Sequence, residues 1–210
     1  MLRIALDLLL SLVVAGLWSA TARGNDSPPH AAFRLTIADL DGVRHSVDSL
    51  AGERATVIAY TSGTCPLSRK LAPELDRIAH EFGPRGVGMV RVAARGEERE
   101  PLRAMLGATL CLTDGEDTLA RTLHPSSTTE VFVFDAQRSL VYRGAINDQY
   151  GVSYARPSAR SHYLRAALEA VLRGDRPLIA STIAPGCALA ILPDGSLATT
   201  TYEADIAPLI

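Results

Sequence analysis

The chain has 210 residues, 47% of them hydrophobic and 21% charged, and a net charge of −2. That length and apolar share suit one domain around a single buried core. The near-neutral charge excludes a global basic field for nucleic acid, and the basic clusters at 95–103 and 156–165 read as solvated helix faces.

Arg3 precedes an apolar run over 8–18, and Ala20-Thr21-Ala22 has the small-x-small form that signal peptidase accepts. Residues 1–22 are therefore expected to be a signal peptide, with the rest working in the periplasm or otherwise outside the cytoplasm, where disulfides persist. The run is too short to span a bilayer unaided, so no stable membrane span is expected, although Asp7 at its edge leaves an uncleaved anchor open. Residues 23–32, with Gly24, Asn25, Pro28 and Pro29, read as a flexible leader.

Residues 33–37 and 43–47 flank Asp39-Leu40-Asp41-Gly42, the pattern of a hairpin. Residues 56–60 form a short, β-branched apolar run, as in a fully buried strand, and the polar turn Thr61-Ser62-Gly63-Thr64 follows. Pro66 opens a helix to about Phe82, striped by Leu67, Leu71, Leu75, Ile78 and Phe82 and stopped by Gly83 and Pro84. Next come a buried strand at 87–92, a helix at 97–106, a strand at 109–112 and a helical turn at 118–123. Strands at 130–135 and 140–144 make a second hairpin, and a helix at 158–172 closes the domain. Alternating strands and helices predict a layered α/β domain over 33–174 with a mixed central sheet flanked by helices. The tail, 175–210, loses helical periodicity and is expected to wrap the surface.

Three cysteines are present, Cys65, Cys111 and Cys187. Cys65 follows a buried strand and directly precedes Pro66 at a helix start. There, free backbone N–H groups and the positive helix end favour a thiolate, and Arg69 and Lys70 add positive charge one turn on. A lowered thiol pKa suits nucleophilic attack on a peroxide or a disulfide. Cys111 lies between Leu110 and Leu112 and reads as a small buried hydrophobe. Cys187 sits in the irregular tail, where a resolving role and a structural or intermolecular one are both open. A mobile tail can bring its Cα within about 7 Å of a partner more easily than a fixed strand can, which favours Cys65–Cys187 over Cys65–Cys111.

The segment Gly63-Thr64-Cys65-Pro66-Leu67-Ser68, with Leu71-Ala72-Pro73-Glu74-Leu75 after it, resembles the active-site helix of the redoxins. These are the peroxiredoxin-like and thiol–disulfide exchange branches of the thioredoxin superfamily. Residues 130–135 and 142–150, and Thr182 with Gly186-Cys187, are similar to a peroxiredoxin-like subgroup of exported bacterial proteins. The resemblance implies a thioredoxin-like fold and antioxidant or redox-homeostasis chemistry, with Cys65 as nucleophile. It departs from the pattern at Ser68, where a dithiol helix carries its second cysteine, and at Thr129, where a cis-proline usually shapes the substrate groove. Ser62 stands in for the upstream Thr of a peroxiredoxin, whose Pro position is Ile58 here. The usual second acid of the later motif is Asn147, with Asp148 retained. Arg143 is a candidate anion-stabilising group, with a surface strand end or a pair with Asp148 as the plainer reading.

The expected substrate is a small peroxide or a protein disulfide, with Cys187 a candidate resolving thiol and an external thiol as reductant. Ser62, Thr64, Pro66, Arg69, Thr129 and Arg143 are the supporting residues; no cofactor is implied. No Cys/His pair has zinc spacing, and Arg69 stands where a Cys-x3-Cys copper carrier would have its second cysteine. The alternative is a non-catalytic redoxin-like module that docks an electron-transfer or copper partner. Residues 200–210 resemble the opening of a c-type cytochrome domain, with no Cys-x-x-Cys-His following in this sequence.

Overall fold

A computed structural model describes residues 28–151, 153–189 and 191. The expected signal peptide and the cytochrome-like segment at 200–210 lie outside the described residues. A helical turn, α1 (Pro28–Ala31), leads to Ala32 and Phe33, both buried, and the Phe33 ring meets Phe134 edge-on at 5.0 Å. Core packing thus begins within the stretch read as leader.

Strands β1 (Thr36–Ala38) and β2 (Arg44–Ser46) form the expected hairpin. Asp39 closes its turn by accepting the Asp41 and Val43 N–H groups at 2.8 and 2.9 Å, and Gly42 takes the left-handed φ of 85°. The central strand, β3 (Ala55–Thr61), is buried along its whole length. The chain continues through α2 (Pro66–Phe82), β4 (Val87–Ala94), α3 (Arg99–Leu106), β5 (Cys111–Asp114) and α4 (Thr118–Leu123). It ends in β6 (Val131–Asp135), β7 (Leu140–Gly144) and α5 (Tyr163–Arg173).

These strands form a mixed sheet in the order β5-β4-β3-β6-β7, with β4 parallel to β3 and β5, and β6 antiparallel to β3 and β7. A β-α-β unit followed by a β-hairpin and a helix, with β3 between β4 and β6, is the thioredoxin-like arrangement. Alternation along β3 explains its burial. Val57 and Ala59 face α2 and α5 through Leu71, Leu75, Ile78, Leu164 and Leu168. Ile58 and Tyr60 face the opposite layer with Phe33, Leu119, Leu123 and Phe134.

The last helix starts five residues later than its periodicity suggests, because Asp148 captures the segment before it. Its carboxylate accepts the Arg160 and Ser161 N–H groups at 2.7 and 2.8 Å, and its own N–H donates to the Ser161 carbonyl. Asp148 also pairs with Arg156 at 2.8 Å, so it is not the partner of Arg143.

The tail is strapped to the domain as far as it is described. The Arg143 N–H donates to the Ala180 carbonyl and the Thr182 N–H to the Arg143 carbonyl, covering the outer edge of β7. Thr182 Oγ1 meets the Tyr142 hydroxyl at 2.7 Å and accepts the Ala145 N–H at 2.9 Å. Among the described residues, no helix is long and apolar enough to cross a membrane.

Helix α3 packs against the turn after β3. A Cβ on Gly63 would lie 2.5 Å from the Leu102 nitrogen and 2.6 Å from the Pro101 carbonyl carbon, both backbone. Gly63→Ala should therefore cost about 1–3 kcal/mol in denaturant unfolding. Gly115→Ala, with nothing within 4 Å, should stay within about 0.5 kcal/mol of the parent. Equal midpoints for the two variants would contradict this packing.

Candidate thiol site

Cys65 is the residue before the first turn of α2, with extended backbone at φ −74° and ψ 118°. Ser62 Oγ accepts the Cys65 N–H at 3.1 Å and lies 3.2 Å from Thr64 Oγ1, which tightens the turn. Pro66 occupies the first helical position, where a missing N–H costs nothing. The Gly63 N–H donates to Glu97 at 3.2 Å. The Cys65 side chain ends up almost enclosed, 2% exposed.

Ser68 sits where a dithiol helix has its second cysteine, and its hydroxyl is fully engaged. It donates to the Thr128 carbonyl at 2.9 Å, accepts the Ser62 N–H at 3.0 Å and faces the Thr61 hydroxyl at 3.2 Å. A hydroxyl has one proton to give and two lone pairs to fill, and all three are used.

The loop before β6 supplies the opposite wall. Glu130, buried, accepts the Ser126 N–H and hydroxyl at 2.6 and 2.7 Å and pairs with Arg143 at 2.7 Å. Arg143 also donates to the His124 carbonyl and stacks on Phe132, 4.7 Å from the ring centre. It thus braces this loop from outside, and its carboxylate partner is Glu130.

Residues 185–189 lie antiparallel along the loop. The Thr128 N–H donates to the Cys187 carbonyl at 3.0 Å, and the Leu189 N–H to the Ser126 carbonyl at 3.3 Å. The Cys187 N–H donates to Thr128 Oγ1 at 3.2 Å. Thr129 is buried, with its hydroxyl on the Pro185 carbonyl, and no peptide bond among the described residues is cis. Thr129 therefore anchors the tail; its neighbour Thr128 is the residue that reaches the sulfur.

The two thiols meet at this wall. Burial pushes the Cys65 thiol up, but the Cys187 thiol, the Thr128 hydroxyl and the Ser68 and Cys187 N–H groups outweigh it. They hold Cys65 at about 7, below its ordinary 9.0. The Thr128 hydroxyl accepts from Cys187, which leaves its own proton for the Cys65 sulfur. Cys187 moves the other way, raised by its interaction with Cys65, by burial and by the negative charges of Cys65 and Glu97. The thiolate thus belongs to Cys65 and the proton to Cys187. The expected contribution of Arg69 is not among the leading causes; that side chain is exposed, and the neighbouring Lys70 ammonium lies 5.7 Å from the Tyr150 ring centre.

Cys111 is buried in β5 and pushed up to about 12, mainly by desolvation. It stands opposite Arg91 of β4, which stands opposite Ala59 of β3, so two strand spacings, about 10 Å, separate it from β3.

Thr128, Glu97 and the use of Ser68 are absent from the sequence reading. Four consecutive hydroxyl residues, Ser126 to Thr129, directly before a buried strand, were the available signal.

No family model matches the chain, and no curated protein matches it. Among solved structures it superposes on a hypothetical protein from Sinorhizobium meliloti with a TM-score of 0.65 at 23% identity, covering 75% of this chain and 90% of that one. An uncharacterized conserved protein from Geobacillus kaustophilus gives 0.66 at 26% identity, covering 77% and 90%. A secreted Mycobacterium tuberculosis disulfide oxidoreductase overlaps more loosely, with a TM-score of 0.49 at 16% identity over 61% and 90%. These are likenesses of fold. The chain has a thioredoxin-like fold, with a cysteine of lowered pKa at the start of its first long helix.

Alkylation of Cys65 followed against pH should inflect near 7. Thr128→Val removes a donor to the thiolate, so the inflection should rise to about 8 or higher and the rate at pH 7 should fall about fivefold. A wild-type inflection at or above about 8.5 would contradict the geometry.

Proposed function

We propose that the protein is a redoxin-type thiol–disulfide oxidoreductase that works outside the cytoplasm, with Cys65 as nucleophile and Cys187 as resolving thiol. The observation that carries this reading is the meeting of a thiol held at about 7 with a second thiol held protonated.

The Cys65 thiolate attacks one sulfur of a substrate disulfide, forms a mixed disulfide and expels the other sulfur as a thiolate. Cys187 loses its proton and attacks the Cys65 sulfur. The Cys65–Cys187 disulfide forms, and the second substrate thiol leaves. Two electrons have then passed from the cysteine pair to the substrate. An external thiol restores the pair by attacking Cys187, the exposed member, which releases Cys65 as the better leaving group. A second equivalent frees Cys187 and completes the oxidation of the reductant to its disulfide.

Disulfide exchange is favoured over peroxide reduction because burial raises the Cys65 thiol and the groups that lower it are hydrogen-bonding ones, with no cation among them. A small peroxide is the second reading, supported by the near-complete enclosure of Cys65. The thiolate would attack the peroxide oxygen, giving a sulfenic acid and an alcohol or water, and Cys187 would condense with it to the same disulfide and water. A low-pKa thiol faced by a partner also favours an enzyme over a non-catalytic docking module.

A chromogenic disulfide tests the assignment in single turnover. The wild type and Cys111→Ser should release both substrate thiols per chain. Cys187→Ser should release one and retain a mixed disulfide on Cys65, and Cys65→Ser should release none. Release of both thiols by Cys187→Ser without added reductant would remove Cys187 from the mechanism.

A further inference from the structure

Cys65 is 2% exposed, and the groups at its sulfur come from the first turn of α2, from Thr128 and, through Cys187, from the chain's own tail. Attack on a polypeptide disulfide needs the sulfurs in line and in contact, which a covered sulfur cannot offer. The covering segment is attached mainly through polar backbone contacts. Pro185 takes hydrogen bonds from Thr129 and, at 3.5 Å, from Ser127; Cys187 and Leu189 exchange backbone bonds with the loop, as described above. Its apolar burial is small. Ala184 and Pro185 are buried and Leu189 is partly buried against the Phe33–Phe134 layer, whereas Gly186, Cys187 and Ala188 are exposed. Ile183, just before it, is 82% exposed. A segment with few buried contacts and peripheral backbone bonds opens locally at a fraction of the global cost.

We propose that residues 184–189 are a latch over Cys65. Closed, the latch presents Cys187 to Cys65 and admits small molecules alone. Open, it bares the Cys65 sulfur together with the Thr128 N–H and the Ser126 carbonyl that the tail had occupied. Polypeptide and latch then exclude each other on one edge, so Cys187 returns only as the bound polypeptide gives way. This selection by size rests on the thiol-exchange reading for its purpose, whereas the latch itself can be measured as access, without turnover.

Two substitutions loosen the latch without altering a cysteine or a residue that touches Cys65. Gly186 has φ 149°, and a Cβ there would press on Thr128 and Thr129 at 3.2 Å, so Gly186→Ala strains the closed state. Leu189→Asp removes one apolar anchor, leaving Ile191 as the other on the Phe33–Phe134 layer. Labelling of the reduced protein is read at the Cys65 peptide by mass spectrometry, with iodoacetamide as the small reagent and a maleimide on a long polyethylene glycol as the bulky one. In both variants the bulky rate should rise at least about tenfold while the small rate changes less than about threefold. An unchanged ratio of the two rates in both variants overturns the latch. Hydrogen exchange on the wild type supplies a check that needs no substitution: the Thr128 and Leu189 amides should exchange together and well ahead of those of β3. Protection equal to that of β3 overturns the latch as well. Loss of turnover with the labelling pattern intact would count against the catalytic reading and leave the latch standing.

Discussion

Ser68 links the start of α2 to the loop before β6, and the rest of the site hangs from that link. Its hydroxyl binds the Ser62 N–H on one side and the Thr128 carbonyl on the other. Thr128 is thereby fixed against the helix start, and its remaining backbone and side-chain groups are free to hold Cys187. A cysteine at 68 would give a local pair but could not reproduce the three strong hydrogen bonds of the hydroxyl. The serine therefore links the helix start, through Thr128, to the tail that carries Cys187. Breaking that link would leave buried hydrogen-bonding groups unmatched, at about 1–3 kcal/mol each.

Charge is divided among the three cysteines by their surroundings. Hydrogen-bond donors gather at Cys65 and favour its thiolate; Cys187 feels the resulting negative charge and Glu97, and keeps its proton. Cys111 is raised by burial, which outweighs the Arg91 charge opposite it, and stays a neutral thiol across the physiological range. In the proposed cycle the same residue type serves as nucleophile, proton carrier and core filler within one chain, and the order of attack follows from the acidities. The electrostatic work falls to neutral donors, while the cations nearby brace structure: Arg143 steadies Glu130, and Arg156 steadies Asp148.

Much of the fold was legible because it is written locally. The buried run at 56–60, the Pro66 helix start and the Leu71–Leu75–Ile78–Phe82 stripe each carry their period in consecutive residues. Cys65 was legible for the same reason, since a strand, a turn and a proline surround it. The late start of α5 was hidden because Asp148, ten or more residues away, holds the segment extended against its helical pattern. The carboxylate partner of Arg143 was hidden because Glu130 is brought to it by the β6–β7 register and by no spacing in the sequence. The tail looked irregular because its order comes from backbone pairing with residues some sixty positions earlier, a contact that leaves no periodic trace. Thr128 was passed over for Thr129 because a one-residue difference decides which hydroxyl faces the sulfur and which faces Pro185.

The proposed function depends on Cys65 and Cys187 acting as one redox couple. Equilibration of the protein in glutathione buffers of graded potential, with free thiols counted and peptides mapped at each step, tests this most directly. A working couple predicts a single two-electron transition in which Cys65 and Cys187 disappear together into one disulfide and Cys111 stays reduced. Accumulation of a glutathione adduct on Cys65, with Cys187 still free across the whole range, would contradict it.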